Sequence, residues 1–223
     1  MLMRLEGPSH PPLSGGKPKS LAVLLHGLGS DGNDLIGLAP HWAPLVPDTE
    51  FLSPNAPFPC DMAPYGYQWF SLQDRSPARI LAGVRAAAPM LDGFLDDALK
   101  ARGLDESRLA LVGFSQGTMM SLHVGLRRAK AVAGILGYSG ALTGADGLAQ
   151  EVRSKPRVFL LHGTADEVVP FAALDAAKRA LESVGVRVET LARPGLGHSI
   201  DEVGLIRGGE FLRRVLAGAA ARA

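Results

Sequence analysis

The chain has 223 residues, 47% hydrophobic and 20% charged, a balance that excludes disorder as its dominant state and can bury a core without disulfide or metal. Its 23 basic and 22 acidic side chains leave a formal net charge of +1 dispersed along the sequence, which excludes the electrostatic footprint of a nucleic-acid binder. Against about 150 residues per domain, this length admits one large domain or two small ones.

In chain order, residues 1–19 form a Pro/Gly-rich lead (Pro8, Pro11, Pro12, Gly15, Gly16), expected as a lead or edge-strand segment. It has no apolar run of the kind a secretory signal needs. Short apolar runs at 21–25, 51–52, 109–112, 132–136, 158–161 and 186–191 read as buried strands. Helical spacing covers 77–102, where Pro89 is expected to introduce a kink, and then 115–130, 171–184 and 201–216. Continuous apolar strands alternating with helices predict an α/β fold, a mostly parallel central sheet with helices on both faces. The stretch from Ser139 to Pro156 is too short to hold a helical cap domain. No segment approaches the roughly 18 consecutive apolar residues of a transmembrane helix. Cys60 is the lone cysteine, so no intramolecular disulfide forms, and a reducing, cytoplasmic location is the expectation.

In such a sheet ligands sit beyond the carboxyl ends of the strands, so the loops there carry the functional search. Gly113-Phe114-Ser115-Gln116-Gly117 follows one strand and opens a helix, the setting of a nucleophile elbow. The bland alternative is that Ser115 only caps that helix. A serine hydroxyl needs a base, and in this arrangement the partners follow as acid, then histidine. His123 lies eight residues into the same helix, roughly 12 Å along its axis, and reads as structural. His162 precedes the only convincing acid. His198, between the last strand and the last helix, is the candidate base. Asp166, in the loop after 158–161, is its orienting acid, with Glu167 as fallback.

The loop His26-Gly27-Leu28-Gly29-Ser30-Asp31-Gly32 turns backbone N–H groups towards a substrate oxygen. An oxyanion hole is expected from the N–H of Gln116 with one from this loop, assigned to Leu28. The loop also matches the dinucleotide pattern G-x-G-x-x-G, with Glu50 as an acidic partner about 20 residues on. His26 and Asp31 argue against that reading, because they crowd and repel a pyrophosphate.

These segments, together with His162-Gly163-Thr164-Ala165-Asp166-Glu167-Val168-Val169-Pro170 and Gly197-His198, resemble the phospholipase/carboxylesterase family of α/β-hydrolases, which includes acyl-protein thioesterases and small bacterial carboxylesterases. The resemblance runs from about residue 20 to 216, with the motifs in the family's order. It implies a single α/β-hydrolase domain over 1–223 and a cofactor-free, metal-free serine hydrolase acting on an acyl ester or thioester. In it Ser115 is nucleophile, His198 base and then acid, and Asp166 orienter. It also implies a homodimer. Gly66-Tyr67-Gln68-Trp69-Phe70 looks like the family's aromatic loop near the acyl pocket. Without a cap the site should be open, an apolar groove bordered by Leu28, Trp69, Met119 and Val169 that favours acyl chains of short to medium length. The competing readings are a lysophospholipase or thioesterase on the same residues, a serine peptidase, or a silent ligand-binding protein. No acidic cluster to grip a peptide amino terminus supports the peptidase, and no expected catalytic residue is missing.

Overall fold

A strand covered on both faces must be apolar at nearly every position, and that requirement organises this molecule. The computed structural model describes residues 5–217. In chain order the elements are β1 (Ser9–His10), β2 (Ser20–Leu25), α1 (Gly32–Ile36), α2 (Ala39–Trp42), β3 (Thr49–Leu52), β4 (Phe58–Pro59), β5 (Tyr67–Gln68), α3 (Pro77–Arg102), β6 (Leu109–Phe114), α4 (Gln116–Arg127), β7 (Gly134–Tyr138), α5 (Leu148–Glu151), β8 (Arg157–Gly163), α6 (Ala172–Ser183), β9 (Val188–Arg193) and α7 (Glu202–Ala217). The seven-stranded sheet has the order β1-β3-β2-β6-β7-β8-β9. It is parallel except for β1, which pairs antiparallel with β3. Strands β4 and β5 form a separate hairpin.

Alternate residues of each strand serve opposite cores. Leu21, Val23 and Leu25 join Leu109, Leu111, Ile135 and Leu160 under α3, α4 and α6. Ala22, Leu24, Ala110, Val112, Leu136 and Phe159 face the other way, against Trp42 of α2 and Phe211 of α7. Each such Leu or Val contributes about 2 kcal/mol by leaving water. β1 lies within the Pro-rich lead, and the flanking Pro8, Pro11 and Pro12 keep this edge strand to two residues.

Two expectations change in detail. The run at 186–191 is displaced to Val188–Arg193, because Val186 belongs to the end of α6: its N–H and that of Gly185 (φ +78°) bond back to the Leu181 and Glu182 carbonyls. The strand expected at 132–136 runs from Gly134 to Tyr138, since the Ala133 N–H turns to Glu106 and Leu109. Helix α3 spans the expected 77–102 with Pro89 inside it, on the helix's exposed face, where water can serve the carbonyl its missing N–H leaves free. No helix among the described residues is long and apolar enough to cross a membrane.

Helix α4 lies between sheet and α3 and is buried from Gln116 to Leu126. His123 is therefore 4% exposed, with Nδ1 unpartnered. Burial, aided by the nearby Arg127 cation, pushes its pKa down to about 4. Unfolding returns it to about 6.5, so this histidine favours the folded state above pH 6.5 and that contribution is lost as pH falls towards 4, by about 3 kcal/mol in all. Urea unfolding at pH 7 and pH 4.5 should show a smaller loss of stability for His123→Leu than for the wild type; equal losses would contradict this.

Candidate active site

The sheet register brings four loops to one edge. Leu25 pairs with Gly113, Phe114 with Tyr138, and Gly163 with Arg193, so the segments that follow β2, β6, β8 and β9 emerge side by side. Ser115 lies between β6 and α4 at φ 55° and ψ −116°, a region costly for any residue but glycine. Its side chain makes no capping hydrogen bond to the helix, so the bland reading of a helix cap fails. The turn is held from below: the Ser115 N–H donates to the Tyr138 carbonyl at 3.0 Å. The Thr118 hydroxyl shares its proton between Gly113 O at 2.8 Å and Tyr138 O at 2.9 Å. A Cβ at Gly113 would lie 2.3 Å from the Thr118 nitrogen, and one at Gly117 only 1.7 Å from the Leu25 carbonyl oxygen. Both positions require glycine because the helix start folds hard against β2 and its own strand.

Asp166 and His198 are brought together. His198 Nδ1 donates to Asp166 Oδ2 at 2.8 Å, which leaves Nε2 as the free ring nitrogen. Asp166 Oδ1 accepts the Val168 and Val169 N–H groups, each at 2.9 Å. Burial alone would raise the carboxyl's pKa, but the His198 hydrogen bond and the two backbone donors outweigh it and hold the pKa below the usual carboxylate value. The imidazole packs on Phe114, the residue that precedes Ser115, with ring centroids 4.8 Å apart. Its loop crosses the end of β8 over Gly163, where a Cβ would meet the Leu196 carbonyl oxygen at 2.1 Å. Beyond it, Asp201 accepts the Gly204 N–H at 2.8 Å and pairs with Arg193, pinning the loop to the start of α7. Glu167 is exposed and makes no contact with His198 that would support it as the acid.

The loop after β2 presses on the elbow: a Cβ on Gly27 would lie 3.3 Å from that of Ser115. No hydrogen bond within the protein engages the Leu28 or Gln116 N–H among the described residues. The Gln116 side chain, fully buried, accepts the Trp69 N–H at 3.1 Å and donates to the Phe70 carbonyl at 2.8 Å. The Trp69 indole donates to the His26 carbonyl at 3.0 Å. His26 Nε2 accepts the Ala56 N–H at 2.9 Å, so Nδ1 carries the proton and donates to the Gly27 carbonyl at 2.7 Å. Burial keeps this imidazole's pKa low, in accord with its neutral form. Gly29 and Ser30 in turn pair with Tyr67 on the hairpin. One network thus ties the loop after β2 to the start of α4.

Trp69 requires a correction. It has no exposed surface and cannot form a groove wall; its ring is consumed in bracing the His26 loop. Met119 and Val169 are each 8% exposed, and Leu28 is half-buried. Tyr67, paired to the loop after β2, and Val168, two residues after Asp166, do reach the surface. A cavity of about 1390 Å³ lies between α3 and residues 5–8 and 52–54 and includes none of these side chains. The bracing role of His26 and Trp69 is what the sequence reading missed; His26 beside Gly27 and the single Trp in the aromatic loop were its only signals.

The dinucleotide reading fails on structure as well. Glu50 is locked to Arg102 by two hydrogen bonds of 2.7 and 2.5 Å, and Asp31 is spent on the Asn33 N–H at the start of α1. No group of three or more metal-ligating side chains occurs among the described residues.

A strained serine, an Asp–His pair and two free N–H groups on the carboxyl edge of a mostly parallel sheet define the class, an α/β-hydrolase. A family model described as Phospholipase/Carboxylesterase matches residues 13–216. The chain is 32% identical over 184 residues to Esterase YpfH of Escherichia coli (strain K12), covering 82% of this chain and 77% of that one. It is 30% identical over 206 residues to Acyl-protein thioesterase 1 of Schizosaccharomyces pombe, covering 87% and 90%. The crystal structure of esterase PE8 superposes with a TM-score of 0.92 at 42% identity, over 96% of this chain and all of that one. The chain belongs to the phospholipase/carboxylesterase family and is a carboxylic ester hydrolase.

Proposed function

We propose that the chain is a serine carboxylesterase that hydrolyses short- to medium-chain acyl esters through an acyl-enzyme on Ser115. The observation that carries this reading is the 2.8 Å bond from His198 Nδ1 to Asp166 at the sheet edge that also presents the strained Ser115. The bond fixes the tautomer in which Nε2 is a base. Ser115 Oγ attacks the acyl carbonyl as His198 takes its proton. The oxyanion meets the N–H groups of Leu28 and Gln116, and the protonated His198 then hands its proton to the departing alkoxide. Water, activated by the same imidazole, releases the acid and restores the serine. The α4 N-terminus adds a favourable field for the developing charge.

The acyl chain would lie on a shallow floor of Leu28, Met119 and Val169, rimmed by Tyr67 and Val168. A buried methylene contributes about 0.8 kcal/mol, a gain that ends where the floor ends. With p-nitrophenyl esters from C2 to C12, kcat/KM should therefore peak between about C4 and C8 and fall towards C12. A rate still rising at C12 would contradict the chain-length assignment, and no turnover with any ester would overturn the enzyme reading. Likeness to a protein named acyl-protein thioesterase favours a second reading, in which the leaving group is a thiol. Acyl thioesters of the same chain lengths, assayed alongside, decide between the two.

A further inference from the structure

The Asp166 carboxylate has a second histidine on it. His162, the penultimate residue of β8, is 2% exposed, and its Nε2 lies 3.2 Å from Asp166 Oδ2 and 2.9 Å from the Val169 carbonyl oxygen. Both neighbours are acceptors, so this nitrogen must carry a proton. Oδ2 accepts the His198 N–H and has the His162 imidazole edge 3.2 Å away, while Oδ1 accepts the N–H groups of Val168 and Val169; the His162 N–H itself is spent on the Val169 carbonyl. The Phe171 ring meets His162 edge-on at 6.1 Å. A small cleft on its other side is bordered by Arg193 and Asp201, which are paired with each other at 2.8 Å.

We propose that His162 is a positioning residue for ester hydrolysis: its Nε2–H, bonded to the Val169 carbonyl, closes the loop that carries Asp166 and sets the donor edge of the imidazole 3.2 Å from Oδ2, keeping that oxygen in line with His198 Nδ1 and drawing charge from it. The proposal rests on the assignment of Ser115, Asp166 and His198 above. The loop that carries the acid is closed on itself by this bond, so the carboxylate stays in place when His198 becomes charged. Without this donor the carboxylate would turn and its Oδ2 would be more basic. It would then hold the imidazolium more tightly than turnover needs.

Two substitutions of similar polarity separate this role from a structural one. In His162→Gln the amide nitrogen reaches the place of Nε2; in His162→Asn it reaches only the place of Nδ1. The Gln variant should keep kcat within about threefold of wild type, whereas Asn should lose about tenfold or more in kcat with KM unchanged, the scale of one buried hydrogen bond whose acceptor is left unpaired. The acid limb of kcat/KM, which reports the base in the free enzyme, should move to higher pH in Asn and stay in place in Gln. Wild-type kcat and acid limb in Asn, or equal losses in both variants with the limb unmoved, would overturn the proposal. Nitrogen-15 spectra of the wild-type imidazoles give a test that does not depend on variant folding. His162 should carry its proton on Nε2 and His198 on Nδ1, and an unprotonated Nε2 on His162 would refute the role. Ser115→Ala measured in parallel isolates failure of the underlying reading: retained hydrolysis there defeats the serine mechanism itself, whereas inactivity there with an unaffected Asn variant defeats only His162.

Discussion

Ser115→Ala should lower kcat for ester hydrolysis by about 100,000-fold, to the residual rate that oxyanion stabilisation and binding alone can give. The size follows from chemistry rather than packing. The hydroxyl is the atom that bonds to the acyl carbon, and the water that replaces it has no fixed place on the turn. The fold should be indifferent to the change, because the Ser115 side chain makes no helix-capping bond and the positive φ is no harder for alanine than for serine. Thermal melting should thus be unchanged while activity disappears. Retained turnover in a variant with a wild-type melting curve would move the nucleophile elsewhere.

Asp166→Asn should cost about 10,000-fold in kcat, the scale expected when the orienting acid of such a site becomes an amide. The hydrogen bonds around Asp166 explain why no rotamer rescues it. The carboxylate accepts two backbone N–H groups on one oxygen and the His198 N–H on the other, with the His162 ring nitrogen 3.2 Å from that second oxygen. An amide offers one acceptor and one donor. If its NH2 turns to the histidines, His198 must take its proton on Nε2 and can no longer act as base. If it turns to Val168 and Val169, donor faces donor in a site with no exposed side-chain surface, and the loop is pushed apart. The pH optimum should be lost with the rate, and unfolding should occur at lower urea than in the wild type. A variant with near wild-type kcat would show that His198 is oriented by something else.

Much of this was legible in the sequence because the chemistry sits at strand ends marked by glycine. Gly113 and Gly117 announce the elbow because backbone atoms occupy the space of their missing side chains, and Gly163 lets the His198 loop cross β8 for the same reason. The continuous apolar runs gave the parallel sheet, since both of its faces are covered. What escaped were features set by distant partners. Val186 reads as strand but is recruited to the end of α6, a choice made by Gly185 and invisible to periodicity. Trp69 reads as a pocket wall because aromatics cluster around it, yet its burial depends on the Gln116 side chain and the His26 carbonyl, 47 and 43 residues away. His162 looked like a discarded rival for the base. Only its contact with Asp166 reveals it as part of the same charge cluster.

The central claim, that Ser115 is the acyl-accepting nucleophile, is tested most directly by reacting the protein with a fluorophosphonate and mapping the adduct by peptide mass spectrometry. A single phosphonyl group should appear on Ser115, with stoichiometric loss of esterase activity, and its formation should be greatly slowed in His198→Ala. An adduct on another residue, or full inactivation with Ser115 unmodified, would contradict the account.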